Sequence, residues 1–307
     1  METQGDLVDI LRRSILDDLF KDFNQTGRFW LRGLIEPLVQ PSVKRFAQIA
    51  ADFDARVERS GFREGMKWIL PKFVSGFEIQ GQEHVPSEGP LLVVSNHPGT
   101  YDSLLIPASL PRDDLNIVAY QFPLLQRLPA ARNHLIFTSN DPEKRVGAVR
   151  SAIRHLRDGG ALLIFPSGRV EPDPVTLPGA AEALQRWSPS LELLLRRVPE
   201  TQVLISMVSG VISPKFMRIP LIRLWKGLRD PQTVAEIMQI VIQMLFPNQV
   251  CLRPHISYGP AMLLEDLVGN NLDAMIMGKV IALASELMRE HCRWVEGSQP
   301  EGSLEYG

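Results

Sequence analysis

The chain contains 307 residues, of which 45% are hydrophobic and 22% charged, and its formal net charge at pH 7 is -2. These values are typical of a globular protein with a substantial core, and they give no reason to expect nucleic acid as a partner. The two cysteines are too few for a disulfide framework, and no Cys/His cluster has the spacing of a zinc site.

Residues 1–75 are predicted to form an N-terminal helical segment. Apolar residues recur there with helical spacing, with charged residues between them. The first apolar stripe consists of Leu7, Ile10, Leu11, Ile15, Leu19 and Phe20. Helix-breaking residues predict an interruption near Gly27, Gly33, Pro37 and Pro41. A further helix is expected from Ser42 to about Leu70.

From Phe73 onward the pattern changes to short aliphatic or β-branched runs that alternate with amphipathic helices. The predicted strands are 77–80, 91–95, 115–119, 134–138, 161–165, 203–208 and 251–258. The clearest helices are predicted at 142–157, 233–246 and 272–295. This alternation indicates an α/β domain over residues 76–307, a layered mixed sheet flanked by helices.

The longest apolar stretches are too short, or too interrupted by polar residues, to span a bilayer. A membrane-spanning helix needs roughly 20 apolar residues, whereas Glu236, Gln239 and Gln243 divide the most apolar helix. The polar, acidic beginning of the chain does not have the pattern of a secretory leader. We therefore expect a cytoplasmic protein that contacts a membrane, if at all, only at its surface.

The strand at 91–95 ends in a segment that places a histidine near a carboxylate. On a continuous helix, His97 and Asp102 would point about 140° apart. Pro98-Gly99 favours a turn, which allows the chain to fold His97 back against Asp102 at the start of the next helix. A carboxylate that accepts from one imidazole nitrogen leaves the other free to take a proton from a hydroxyl. This predicts His97 as a general base oriented by Asp102.

The same two residues have a simpler interpretation, in which His97 is a polar loop residue and Asp102 only caps the helix. Two features favour the catalytic interpretation. The pair lies at the carboxyl end of a buried strand, where α/β domains build their sites. A similar strand, 161–165, ends in the turn Pro166-Ser167-Gly168-Arg169.

Together the two motifs resemble the glycerolipid acyltransferase superfamily, which contains the 1-acylglycerol-3-phosphate acyltransferases. The resemblance covers roughly residues 75 to 260. It rests on Asn-His-x-x-x-x-Asp after a hydrophobic strand and Phe-Pro-x-Gly about 70 residues later. It implies that His97 and Asp102 form the catalytic dyad and that Phe165, Pro166 and Gly168 line the acceptor site.

If the resemblance holds, the partners are acyl-CoA or an acyl carrier protein as donor and a lipid or lysolipid as acceptor. The chemistry would belong to phospholipid biosynthesis and would need no cofactor and no metal ion.

The chain departs from the family at the acceptor motifs. Ser167 stands where the family has glutamate, and Arg169 stands one position before the family's arginine. The family's phosphate-binding motif falls on residues 134–140, where only Phe137 is retained and Asn140 replaces an arginine. Because an amide cannot neutralise a phosphate as a guanidinium does, a glycerol-phosphate acceptor is not predicted.

Three cations stand close enough in sequence to supply the missing charge. Lys144, Arg145 and Arg169 are candidate substrate-binding residues, although Lys144 and Arg145 also fit the solvated face of the 142–157 helix.

Residues 215–229 carry five cations and no acid, interleaved with aromatic and aliphatic residues. This composition fits a surface on an anionic bilayer, a site for the phosphates of coenzyme A, or a connector whose basic side chains reach water. The N-terminal helices allow the same interpretations, and the resemblance favours peripheral membrane contact on the cytoplasmic face.

Two other functions remain open from the sequence. An ester or thioester hydrolase would use Ser167 as nucleophile, but the chain has no Gly-x-Ser-x-Gly motif. A non-catalytic lipid-binding protein would explain the altered acceptor motifs, but not the retention of both His97 and Asp102.

Overall fold

The structure is a computed structural model that describes residues 4–25, 29–219, 230–247, 249–268 and 276–298. Its centre is a seven-stranded sheet in the order β1-β7-β6-β2-β5-β3-β4. The strands are β1 (Glu78–Gln80), β2 (Leu91–Ser95), β3 (Leu115–Tyr120), β4 (Leu135–Thr138), β5 (Ala161–Ile164), β6 (Gln202–Ser209) and β7 (His255–Tyr258). Neighbouring strands are parallel except β6 and β7, so the sheet is mixed, as predicted.

The seven predicted strands are all present, and one boundary differs from the prediction by more than one residue. The last strand begins at His255 rather than Cys251. Pro254, directly before it, has no N–H to donate to a ladder, so the chain pairs regularly only after that residue.

Helices cover both faces of the sheet. They are α1 (Gln4–Gln25), α2 (Phe29–Ser60), α3 (Phe62–Ile69), α4 (Asp102–Ser109), α5 (Pro123–Gln126), α6 (Pro142–Arg157), α7 (Ala180–Leu184), α8 (Ser190–Arg197), α9 (Pro214–Met217), α10 (Pro231–Leu245), α11 (Leu264–Val268) and α12 (Ile276–Ser298). The 142–157 helix has the predicted bounds, and the helices predicted at 233–246 and 272–295 correspond to α10 and α12. Residues 272–275 lie outside the described residues.

The central strand β2 is buried on both faces. Leu91 and Val93 pack into one core with α2, α3, α4 and α10, while Leu92 and Val94 pack into a second core with α6, α8 and α12. A strand buried on both sides must be apolar at every position, which explains its uninterrupted aliphatic sequence.

The predicted interruption at Gly33, Pro37 and Pro41 was wrong, because α2 continues through all three. Both prolines are exposed, so carbonyl groups that lose a helical N–H partner can bond water instead. Ile35, Val39 and Val43 pack against α1 side chains on the opposite face, and this packing outweighs the local preference for a break. The interruption predicted near Gly27 falls on residues 26–28, which are outside the described residues.

The N-terminal helices pack on the same core as the sheet. Arg45 on α2 donates from Nη1 to the carbonyl of Met244 on α10 at 3.1 Å, and Ser42 Oγ donates to the Val241 carbonyl at 3.3 Å. The division of the chain at residue 75 remains a prediction.

Candidate active site

Hydrogen bonds of the Asn96 side chain fix the start of the segment that follows β2. Asn96 is buried, and its side-chain amide donates to the Val208 carbonyl at 2.9 Å and accepts from the Val208 amide at 2.8 Å. This two-way bond continues the pairing of β2 with β6 by one residue through a side chain. The residue that follows, His97, therefore leaves the carboxyl edge of the sheet at a defined point.

His97 and Asp102 are in contact. Nδ1 of His97 lies 2.9 Å from Oδ2 and 3.0 Å from Oδ1 of Asp102, which is the first residue of α4. The Gly99 amide also donates to Oδ2, at 3.1 Å, within the turn that returns the chain. The Asp102 side chain is 0% exposed and that of His97 is 23% exposed, so the imidazole is the accessible member of the pair.

One face of the His97 imidazole packs on an aromatic ring. His97 and Phe165, the first residue after β5, stack with ring centroids 4.3 Å apart. With Nδ1 occupied by Asp102, Nε2 is the nitrogen left for a substrate proton. In the part of the chain that the structure describes, no hydrogen bond involves Nε2.

Three carboxyl groups set the charge around His97. Burial alone would lower the pKa of His97, but the charge and hydrogen bond of Asp102, with contributions from Glu236 and Glu171, raise it above its ordinary value. Asp102 therefore stabilises the protonated imidazole, which is the form that a general base reaches when it takes a proton from the substrate.

The chain turns directly after β5, beside the His97 ring that Phe165 contacts. The Gly168 amide donates to the Phe165 carbonyl at 3.0 Å, and Gly168 has a φ of 65°, which favours glycine. Pro166 is buried, whereas Gly168 and Arg169 are exposed. Ser167 Oγ donates to the Arg169 carbonyl at 2.9 Å, and no hydrogen bond joins it to a histidine among the described residues. The geometry does not favour Ser167 as a nucleophile.

Lys144 and Arg145 are not brought to the dyad. Both are exposed near the start of α6, which follows β4, and Lys144 Nζ donates to Gln121 Oε1 at 3.3 Å. Strand β4 is three positions from β2 in the sheet, or roughly 14 Å at about 4.8 Å per strand. The two cations lie at the same carboxyl edge of the sheet as the dyad, but they are separated from it along that edge.

Three residues of the site, Glu171, Gln232 and Glu236, were missed by sequence reasoning. The Glu171 amide donates to the His97 carbonyl at 2.7 Å, and its carboxylate accepts from Trp187 Nε1 at 2.9 Å. On α10, Gln232 donates to the carbonyl of Pro98 at 2.7 Å, and Glu236 accepts from the Thr100 amide. For Gln232 and Glu236, the signal in the sequence was a regular row of polar residues in an otherwise apolar helix.

Part of the basic stretch is described. Lys215 and Arg218 are exposed on either side of the buried Phe216, and residues 220–229 lie outside the described residues. None of the helices in the described ranges combines the length and the apolar character that crossing a bilayer requires.

One family profile matches the part of the chain that holds the dyad. Residues 76–187 match the family profile described as Acyltransferase, a range that contains His97, Asp102 and the Phe165 turn. A solved structure similar to this chain is the crystal structure of the 1-acyl-sn-glycerophosphate acyltransferase PlsC from Thermotoga maritima. It has 14% sequence identity over 96% of this chain and 98% of that chain, with a TM-score of 0.45. No curated protein matched the sequence.

Proposed function

We propose that the protein is an acyltransferase of the glycerolipid acyltransferase superfamily and that it transfers a fatty acyl group from a thioester to a lipid hydroxyl. The match of residues 76–187 to the Acyltransferase family profile supports this proposal. The donor is acyl-CoA or an acyl carrier protein, and the acceptor is a lipid or lysolipid. The observation that carries the proposal is the 2.9 Å contact between His97 Nδ1 and Asp102 Oδ2 beneath an accessible imidazole.

The reaction follows from the tautomer that this contact favours. With Nδ1–H donated to Asp102, Nε2 accepts the proton of the acceptor hydroxyl while its oxygen attacks the thioester carbonyl. The carbon–sulfur bond then breaks, and the leaving thiolate takes the proton from Nε2. Asp102 stabilises the imidazolium between the two steps, and no acyl group is attached to the enzyme.

The proposal does not assume that the acceptor is a glycerol phosphate. The position at which the family carries a phosphate-binding arginine holds Asn140, which is exposed and uncharged. We propose that Arg169, Lys144 and Arg145, all exposed, contact anionic parts of the substrates along the edge of the sheet. Phe165, Pro166, Ser167 and Gly168 would line the acceptor site beside His97.

We also propose that the protein works on the cytoplasmic face of an anionic membrane. The basic stretch 215–229 supports this, because its exposed Lys215 and Arg218 lie on either side of the buried Phe216 and can face anionic lipid.

The test is release of free coenzyme A from palmitoyl-CoA, followed with a thiol reagent, in the presence of a panel of lysolipids and glycerol 3-phosphate. The proposal expects release that depends on one or more acceptors and falls strongly in His97→Ala. Release that is independent of every acceptor would identify a hydrolase instead. The absence of any release by the wild-type protein would contradict transfer altogether.

A further inference from the structure

Helix α10 carries a row of buried polar side chains on one face. Gln232, Glu236, Gln239 and Gln243 are spaced by four, three and four residues, which places them on one face of the helix. All four are buried, with exposures between 0% and 7%. Burying a polar group without a partner costs free energy, so a row of this kind requires partners at each position.

Three members of the row have their partners in or beside residues 97–101. Gln232 Nε2 donates to the carbonyls of Pro98 and Glu171 at 2.7 and 2.8 Å. Glu236 accepts from the amide of Thr100, and Gln243 accepts from the hydroxyl of Tyr101.

The remaining member of the row holds a different loop. Gln239 donates to the Val211 carbonyl at 3.0 Å and accepts from the Ser213 amide at 2.8 Å. One helix face therefore contacts both the segment after β2 and the segment after β6.

The backbone between His97 and Asp102 depends on these side chains. Residues 97–101 belong to neither a strand nor a helix, so their polar groups lack a regular partner. The His97 carbonyl is bonded by Glu171, the Pro98 carbonyl by Gln232, the Gly99 amide by Asp102 and the Thr100 amide by Glu236. Two of these partners come from α10, which is more than 130 residues away in sequence.

Glycine at position 99 permits this close approach. A Cβ added to Gly99 would stand 3.0 Å from Oε1 of Glu236 and 3.3 Å from Cγ2 of Val211. Any side chain there would press on the carboxyl group that holds Thr100.

We propose that Glu236 is a positioning residue of the acyl transfer: from α10 it holds the His97–Asp102 segment in its catalytic conformation by accepting from the Thr100 amide. This inference rests on the proposed function, since it assigns Glu236 a role in that reaction. Glu236 touches no reacting atom; it holds the backbone beside the dyad, and its charge adds to that of Asp102 in raising the pKa of His97. A shift of about 1 Å in a catalytic group can lower turnover by about a hundredfold, so a hydrogen bond at this place has a measurable effect.

The test compares two substitutions. Glu236→Leu removes the acceptor and should lower kcat by about tenfold to a hundredfold, with the KM for palmitoyl-CoA unchanged within about twofold. Glu236→Gln keeps a side-chain oxygen that can accept from Thr100 and should retain most of the wild-type kcat. Amide hydrogen exchange, measured without substrate, should increase at Gly99, Thr100 and Tyr101 in Glu236→Leu and stay near wild type in Glu236→Gln.

A matched control separates positioning from general loss of stability. Asp54 on α2 is also buried and also holds loop amides, those of Ala130 and Ala131 at 3.0 and 2.8 Å, but among the described residues this loop makes no hydrogen bond with residues 97–101. Asp54→Leu should lower the melting temperature while leaving kcat of the folded enzyme and exchange at residues 99–101 near wild type.

Three results would overturn the proposal. They are a wild-type kcat in Glu236→Leu, equal losses of kcat in Glu236→Leu and Glu236→Gln, and unchanged exchange at Thr100 in Glu236→Leu. If the wild-type protein releases no coenzyme A with any acceptor, the proposed function fails by itself, and the exchange comparison still decides whether Glu236 holds the segment.

Discussion

At the scale of single residues, His97 is the group on which the proposed chemistry depends. Its imidazole is the accessible partner of a fully buried carboxyl group, and its Nε2 is the nitrogen that remains for the substrate. Replacement of His97 by alanine removes the base and should lower kcat by about 10² to 10⁴-fold. The rate of coenzyme A release under saturating substrates measures this loss, and a variant of undiminished rate would exclude the assigned role.

The carboxyl groups around His97 should set the pH dependence of the enzyme. A general base works in its deprotonated form, so activity falls as the pH drops through the pKa of His97. Asp102 holds that pKa above its ordinary value, and Asp102→Asn should therefore move the acidic limb of the kcat/KM profile to lower pH. The same change should lower kcat less than His97→Ala if Asp102 only orients the ring.

Glu171→Gln is the control for this profile, because it removes a neighbouring carboxyl group and leaves the bond between His97 and Asp102 intact. The acidic limb should move in the same direction, by a smaller amount, since Glu171 contributes less than Asp102 to the pKa of His97. An acidic limb that stays in place in both variants would mean that another group limits the rate.

The residues of the site differ in how far the sequence predicts them. The contact between His97 and Asp102 follows from a span of five residues with Pro98-Gly99 inside it, so local turn preferences are sufficient. Glu236 and Gln232 reach the same segment only because α10 packs there, and no local rule connects positions so far apart. The catalytic roles of both members of the dyad remain predictions.

At the scale of elements, the contact between α10 and the turn after β2 depends on the absence of a side chain at position 99. Gly99→Ala would place a methyl group against Glu236 and Val211. Overpacking of this kind should lower the free energy of unfolding by about 1–3 kcal/mol and reduce activity. Urea denaturation measures the first effect and the transfer assay the second.

The matched substitution is Gly147→Ala on α6, where an added Cβ has nothing within 4 Å. It should raise the free energy of unfolding by up to about 1 kcal/mol, because alanine is the better helix former. Equal responses at the two positions would contradict the close contact at Gly99.

The elements themselves were largely predictable, and the exceptions have physical causes. The strands were recognisable because both faces of the sheet are covered, which requires apolar runs bounded by turn residues. The continuity of α2 through Pro37 and Pro41 was not, because packing against α1 outweighs the local preference for a break. The order of strands in the sheet is set by long-range pairing, and the sequence alone did not reveal it.

At the scale of the whole molecule, the proposed function requires the site to meet a lipid acceptor, and the basic stretch 215–229 is the proposed point of contact. Replacement of Arg218, Arg223 and Lys226 by glutamine should weaken binding to vesicles that contain anionic lipid, with turnover on a soluble acceptor unchanged. Co-sedimentation with vesicles of phosphatidylglycerol and phosphatidylcholine measures the binding. Equal sedimentation of the variant and the wild type would exclude this surface. Arg223 and Lys226 lie outside the described residues.

The most direct test of the account is identification of the reaction product. The protein is incubated with palmitoyl-CoA that carries a ¹³C-labelled acyl group and with the acceptor panel, and the lipids are analysed by mass spectrometry. The account predicts a labelled ester of at least one acceptor, formed by the wild type and reduced by about a hundredfold or more in His97→Ala. Labelled free fatty acid as the only product, or equal ester formation by the variant, would contradict it.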